Sequence, residues 1–164
     1  MPSGPTYKVI SSTTVSGSST TSITFNSIPQ TYTDLIIIFR IAQADAYVLA
    51  RFNGDSSANY GRQSMFNNLS GNSAGLSLNE TAAYPEGSST AVGRSNVIWN
   101  ILNYSSSTTN KTSLMEYICQ PQAVAMLVTP YRSNTAITSI TFTTPSANVF
   151  LSGSTITIYG VAAA

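Results

Sequence analysis

The chain contains no histidine and a single cysteine, Cys119. Without histidine there can be no Ser-His-Asp triad, no Cys-His dyad and no imidazole metal ligand. One cysteine excludes an intramolecular disulfide framework. In "LMEYICQ" (114–120) Cys119 reads as a small apolar strand residue, expected to be buried. Charge is scarce as well. Only 8% of the residues are charged, where a typical soluble domain has roughly 25%. The seven cations are scattered from Lys8 to Arg132, the net charge is +1, and there is no basic run. Phosphate neutralisation needs a clustered positive face, so no nucleic-acid partner is expected. The longest apolar run, "LIIIF" (35–39), is far too short to span a bilayer. "MPSGPTYK" (1–8) lacks the apolar centre of a secretory signal. No membrane partner is expected either.

Hydroxyl side chains take the place of charge: Ser and Thr make up roughly 29% of the chain. The hydrophobic share of 42% over 164 residues is enough to build one core. Abundant Thr favours strands, and Ser and Asn favour turns. Alternation then marks the strands. "TSITF" (21–25) puts Ile23 and Phe25 on one face, and with "YKVI" and "STTV" it suggests a first hairpin over 6–26. In "LIIIFRIA" (35–42), Leu35, Ile37, Phe39 and Ile41 share one face, while Ile36, Ile38 and Arg40 share the other. The pattern reads as a strand covered on both faces for most of its length. "AYVLARFN" (46–53) is the next strand, with "RQSMFNN" (62–68) as its expected hairpin partner. "SNVIWNILNY" (95–104) and "TSLMEYICQ" (112–120) flank a hairpin loop, and Trp99 is expected in the core. "AVAMLVTPY" (123–131) should end at Pro130 or lie on an edge. "AITSITFTT" (136–144) and "STITIYGV" (154–161) close the set. Residues 69–93 are Gly- and Ser-rich and read as a long loop with a short strand near 76–79. The expected fold is all-β: an antiparallel two-sheet sandwich, jelly-roll-like, with eight to ten strands. Residues 1–8 form an extended arm with Pro2 and Pro5, and 9–164 form the single domain.

The segment "RFNGDSSANYGR" (51–62) holds the densest set of ligand-type side chains. A calcium loop would need acids or amides at alternate positions and a closing glutamate, and no glutamate occurs before Glu80. The simpler reading is a tight turn at Asn53-Gly54, anchored by Phe52 and Tyr60. A second reading is a sugar-binding tip, in which Asn53, Asp55, Asn59, Tyr60 and the loop aromatic Tyr84 would meet the hydroxyls of a glycan. The six acids are Asp34, Asp45, Asp55, Glu80, Glu86 and Glu116. Most of them sit at strand boundaries or in loops, where turn chemistry accounts for them. Glu116 alone lies mid-strand, and its expected place is the solvent face. No catalytic residue, metal or cofactor is expected, and the chain is read as non-enzymatic.

Three stretches carry a resemblance: "SITFNSIPQTYTDLIII" (22–38), "ARFNGDSSANYG" (50–61) and "AITSITFTTPSANVFLSGSTITIYGV" (136–161). Together they resemble a group of small virion structural proteins of tailed phages, common among phages of cyanobacteria and other aquatic bacteria. Residues 69–93 have no counterpart in that pattern. The resemblance implies a jelly-roll-like unit that assembles as a homotrimer. It also implies one of two placements. In the first, the chain is a capsid decoration or cement protein on the outer surface of the head, contacting the major capsid protein. In the second, it is a tail-fibre module that recognises host glycan. The chain has no coiled coil or repetitive shaft, which favours decoration. In that reading the arm residues Pro2, Pro5, Tyr7 and Ile10 make the capsid and subunit contacts.

Overall fold

The computed structural model of the chain describes residues 6–17, 19–42, 47–68, 71–85, 94–119, 123–145 and 149–162. Eleven strands and no helix occur among them. In chain order these are β1 (Tyr7–Thr14), β2 (Ser22–Phe25), β3 (Asp34–Ala42), β4 (Leu49–Phe52), β5 (Tyr60–Asn68), β6 (Gly71–Glu80), β7 (Arg94–Leu102), β8 (Lys111–Cys119), β9 (Ala123–Tyr131), β10 (Ile140–Thr143) and β11 (Thr155–Val161). They form two sheets, an eight-stranded one in the order β1-β11-β3-β7-β8-β9-β5-β6 and a three-stranded one in the order β2-β10-β4. Every pairing is antiparallel. The fold is therefore an all-β, two-sheet antiparallel sandwich.

Period-two alternation explains the core. Leu35, Ile37, Phe39 and Ile41 of β3 are each at most 1% exposed, as are Val97, Trp99 and Ile101 of β7. The small sheet answers with Ile23, Phe25, Ala50, Phe52, Ile140 and Phe142, all buried. Trp99 is the hub, stacked on Phe39 (centroids 6.3 Å, 25°) and on Phe52 (5.5 Å, 27°). Phe142 meets Phe39 edge-on at 4.9 Å, which knits the two sheets together. The open end is closed by loops. Gln30 Nε2 donates to the carbonyls of Ile28 and Ile137, and the Tyr104 hydroxyl donates to the Pro29 carbonyl.

Several local expectations are corrected. β1 and β2 do not form a hairpin; β1 pairs with β11 and β2 with β10. β4 and β5 are not partners either. β4 pairs with β10 in the small sheet, and β5 lies between β9 and β6 in the large one. Asn53-Gly54 is still a tight turn, but it carries the chain from one sheet to the other. The segment read as a loop contains a ten-residue strand, β6, paired along its length with β5. β9 runs through Pro130 to Tyr131 in the interior of the sheet. Proline is tolerated there because the β5–β9 pairing skips from Tyr60↔Tyr131 to Gln63↔Val128, next to the bulge at Tyr60/Gly61. Finally, β3 is covered by the chain on one face only: Ile38 on the other face is 42% exposed.

Candidate functional site

Two regions gather site-like features, the Asn53–Tyr60 corner and the outer face of the large sheet. At the corner, Asn53 and Gly54 both take positive φ (53° and 70°), and Asp55 N donates to the Phe52 carbonyl at 2.9 Å. Positive φ at both central positions marks a type I′ turn, which explains the Asn-Gly pair. The Asn53 side chain then turns inward. Its Nδ2 donates to the Ala136 carbonyl at 2.8 Å, and its Oδ1 accepts from the backbone N–H groups of Thr138 (2.8 Å) and Ser139 (3.1 Å). Asn53 thereby stitches this turn to the segment leading into β10.

Asp55 is equally occupied. Its Oδ1 accepts from Ser57 N (2.8 Å), and its Oδ2 accepts from Asn59 Nδ2 and from the Tyr131 hydroxyl, both at 2.9 Å. Partial burial works to raise its pKa. Hydrogen bonds from Asn59, Ser57 and Tyr131 outweigh it and bring the carboxyl down to about 2. Tyr60 is buried at 1% exposure. Its hydroxyl accepts from Phe52 N (3.0 Å) and donates to the Asp55 carbonyl (3.1 Å). Burial pushes that phenol far above its ordinary range. The structure does bring Asn53, Asp55, Asn59 and Tyr60 together, but as a self-satisfied corner. Tyr84 belongs to other contacts: it lies against Tyr47 (5.5 Å) with the Arg62 guanidinium 5.1 Å from its ring centre.

Lys111 is 1% exposed. Its ammonium donates to the carbonyls of Ser106 (2.6 Å), Thr109 (2.9 Å) and Ser133 (3.4 Å). All three of its donors fasten loops, so it is a structural clasp rather than a free cation. Among the described residues no group of three or more His, Cys, Asp or Glu could hold a metal ion. Asp45, Glu86, Pro2 and Pro5 lie outside the described residues, as does the side chain of Cys119. Tyr7 and Ile10 lie in β1, the first 58% exposed and the second partly buried against the core.

The second region is the outer face of the eight-stranded sheet. Twelve large hydrophobic side chains are exposed among the described residues, and strand register puts all twelve on this one face. Ile38, Ile98, Leu114, Ile118, Met126 and Met65 occupy its centre, between 42% and 68% exposed. Tyr7 and Val9 extend it along β1, and Leu76 and Leu78 along β6. Residues from different strands fall in rows: Ile38, Ile98, Glu116, Met126, Met65 and Ala74 stand side by side across six strands. A groove of about 1450 Å³ runs across this face. Among the described residues that line it, the two charged ones are Arg40 and Glu116. Glu116 lies on the solvent face of β8, as expected.

The sequence contained the signal for this face. Ile36 and Ile38, and then Ile98 and Leu102, alternate with the core residues of β3 and β7. A both-sides-apolar pattern says that a strand is covered twice, but it does not say by which chain.

No protein family matches the chain, and no curated protein sequence does. Among solved structures the chain is similar to a tetrameric galectin from the ball sponge Cinachyrella sp., at 8% identity and a TM-score of 0.35, over 85% of this chain and 99% of the galectin chain.

Proposed function

We propose that this chain is a non-enzymatic virion structural protein of a tailed phage, a decoration protein that sits on the outer surface of the head and stabilises it. The observation that carries an assembly role is the outer face of the large sheet, where every exposed large hydrophobic side chain of the described residues is gathered. A chain that functions alone in water rarely leaves so large an apolar patch uncovered. Few ions need desolvating when such a face docks, because only 8% of the residues are charged. The resemblance of residues 22–38, 50–61 and 136–161 to phage virion proteins supplies the setting, with the major capsid protein as partner and a homotrimer as the assembled form.

The mechanism is linkage. A protein that binds only the assembled shell stabilises that state by mass action. The N-terminal arm adds contacts through Pro2 and Pro5, continued by the exposed Tyr7 at the start of β1, whereas Ile10 packs against the core. Deletion of residues 2–5 tests the arm without cutting into β1, which begins at Tyr7. Particles should then lose the protein while the domain still folds.

The deciding experiment is quantitative mass spectrometry of purified virions, comparing this protein with the major capsid protein. Comparable copy numbers support head decoration. A far lower copy number supports the tail-fibre alternative and makes host-glycan binding worth testing, with Tyr84→Ala as the variant. Tyr60 is a poor probe there because it is a core residue. Absence from the particle overturns both placements.

A further inference from the structure

We infer that the outer face of the eight-stranded sheet is covered by a second copy of this same chain, with Arg40 of one copy set against Glu116 of the other. The inference deepens the assembly reading above by naming the occupant of the face.

Area is the first argument. Eight strands at about 4.8 Å spacing, each some nine residues long at about 3.3 Å per residue, give a face of roughly 1,000 Å². A stable interface buries about 800 Å² per partner. The face is therefore large enough to hold a copy of itself. The strands of two twisted sheets packed face to face would cross at about 30° and interdigitate their side chains. Met65 and Met126, 68% and 52% exposed, are flexible enough to fill the groove from the opposing side.

Charge is the second argument. Among the described residues the groove holds one cation and one anion, Arg40 on β3 and Glu116 on β8, with β7 between those strands. In register, Arg40 lies beside Asn96, while Glu116 lies one row away beside Ile98. Sheet geometry puts their Cα atoms about 12 Å apart, near the limit that an extended arginine and glutamate can span. Within one chain Glu116 stands between Ile98 and Met126, while Arg40 stands between Thr155 and Asn96. A two-fold axis in the plane of the face, bisecting the line between them, sets each guanidinium against the opposing carboxylate and forms the pair twice. A three-fold arrangement of copies forms the same pair once at each contact. Among the described residues of this face a nucleic acid or an anionic surface would find no excess of positive charge, and an apolar groove with one balanced ion pair is self-complementary.

The test is the mass in solution of the purified full chain, by sedimentation or light scattering, against the 17.3 kDa of one copy. A mass of two or three copies is expected. Arg40→Glu and Glu116→Arg, made singly, should each weaken association at least tenfold, and the double swap should restore it. Ile98→Asp, at a 46% exposed position, should give a folded monomer, with folding read from circular dichroism. A monomeric wild type overturns the inference, and so does an oligomer indifferent to all of these changes. The two readings fail separately. A monomer present on virions would leave decoration standing, whereas an oligomer absent from virions would leave this interface standing.

Discussion

The side chain of Asn53 reaches the backbone of Thr138, its Oδ1 accepting that residue's N–H at 2.8 Å. The contact joins two of the three stretches that mark this sequence, the Asn-Gly turn and the lead-in to β10. A second contact joins the first stretch to the third: Gly160, at the end of β11, lies against the ring of Tyr32, just before β3. The recognisable motifs are thus largely the joints of the sandwich.

Asn53→Ala should cost about 2–3 kcal/mol. It removes the side-chain partner of three backbone groups, two of them part-buried, and places a Cβ residue without Asn's tolerance at positive φ. Asn53→Gly should lose less, because it keeps the turn conformation. Urea denaturation of the two variants beside the wild type measures the difference.

Stability should fall in acid through Asp55. Its carboxyl titrates at about 2 in the folded chain, below its ordinary value of 3.8. The folded state therefore binds fewer protons than the unfolded state between those values. The contribution is full above about pH 4 and disappears as the pH drops toward 2. Because the group is partly solvent-exposed, the effect should be about 1–2 kcal/mol. Asp55→Asn should be less stable at pH 7 and should lose less stability between pH 4 and 2; equal slopes for the two proteins would contradict this.

Gly160→Ala should destabilise the sandwich by about 1–3 kcal/mol. A Cβ at that position would run into the Tyr32 ring. The backbone there is ordinary extended strand, so the penalty is one of space alone. Combining the change with Tyr32→Ala should relieve the clash, and a thermal-melt double-mutant cycle would show coupling between the two sites.

Lys111→Met should lower stability by about 2 kcal/mol, although the substitution places an apolar side chain in a buried site. Three carbonyls, of Ser106, Thr109 and Ser133, lose a charged donor at once. Chemical denaturation reports the loss. An increase in stability would mean that burying the ammonium costs more than its three bonds return.

Much of the fold could be read in the sequence, strand by strand. The inward set of β3 and of β7 followed from alternation, and Trp99 sits in the core where its neighbours Val97 and Ile101 placed it. The partners of those strands could not be read. Local sequence suggests hairpins, whereas β1 pairs with β11 and β2 with β10, across more than a hundred residues. β6 was read only as a short strand near 76–79, because it lies at the edge of the large sheet, where Ser73, Gly75 and Ser77 have no core to face. Of the candidate sites, the Asn53–Tyr60 corner stood out because its residue types suit ligands, but the chain's own backbone uses them. The outer face was visible as a second apolar set in β3 and taken as internally covered.

The placement of β11 also governs when the molecule can form. β11 separates β1 from β3, so neither has its neighbour until residues 155–161 have been made. During synthesis β3, one of the most apolar strands in the chain, must wait as a bare edge while β7 pairs on its other side. The large sheet therefore closes only after translation has delivered its last strand, and a nascent chain stalled before residue 155 would carry an adhesive edge that the finished protein never shows.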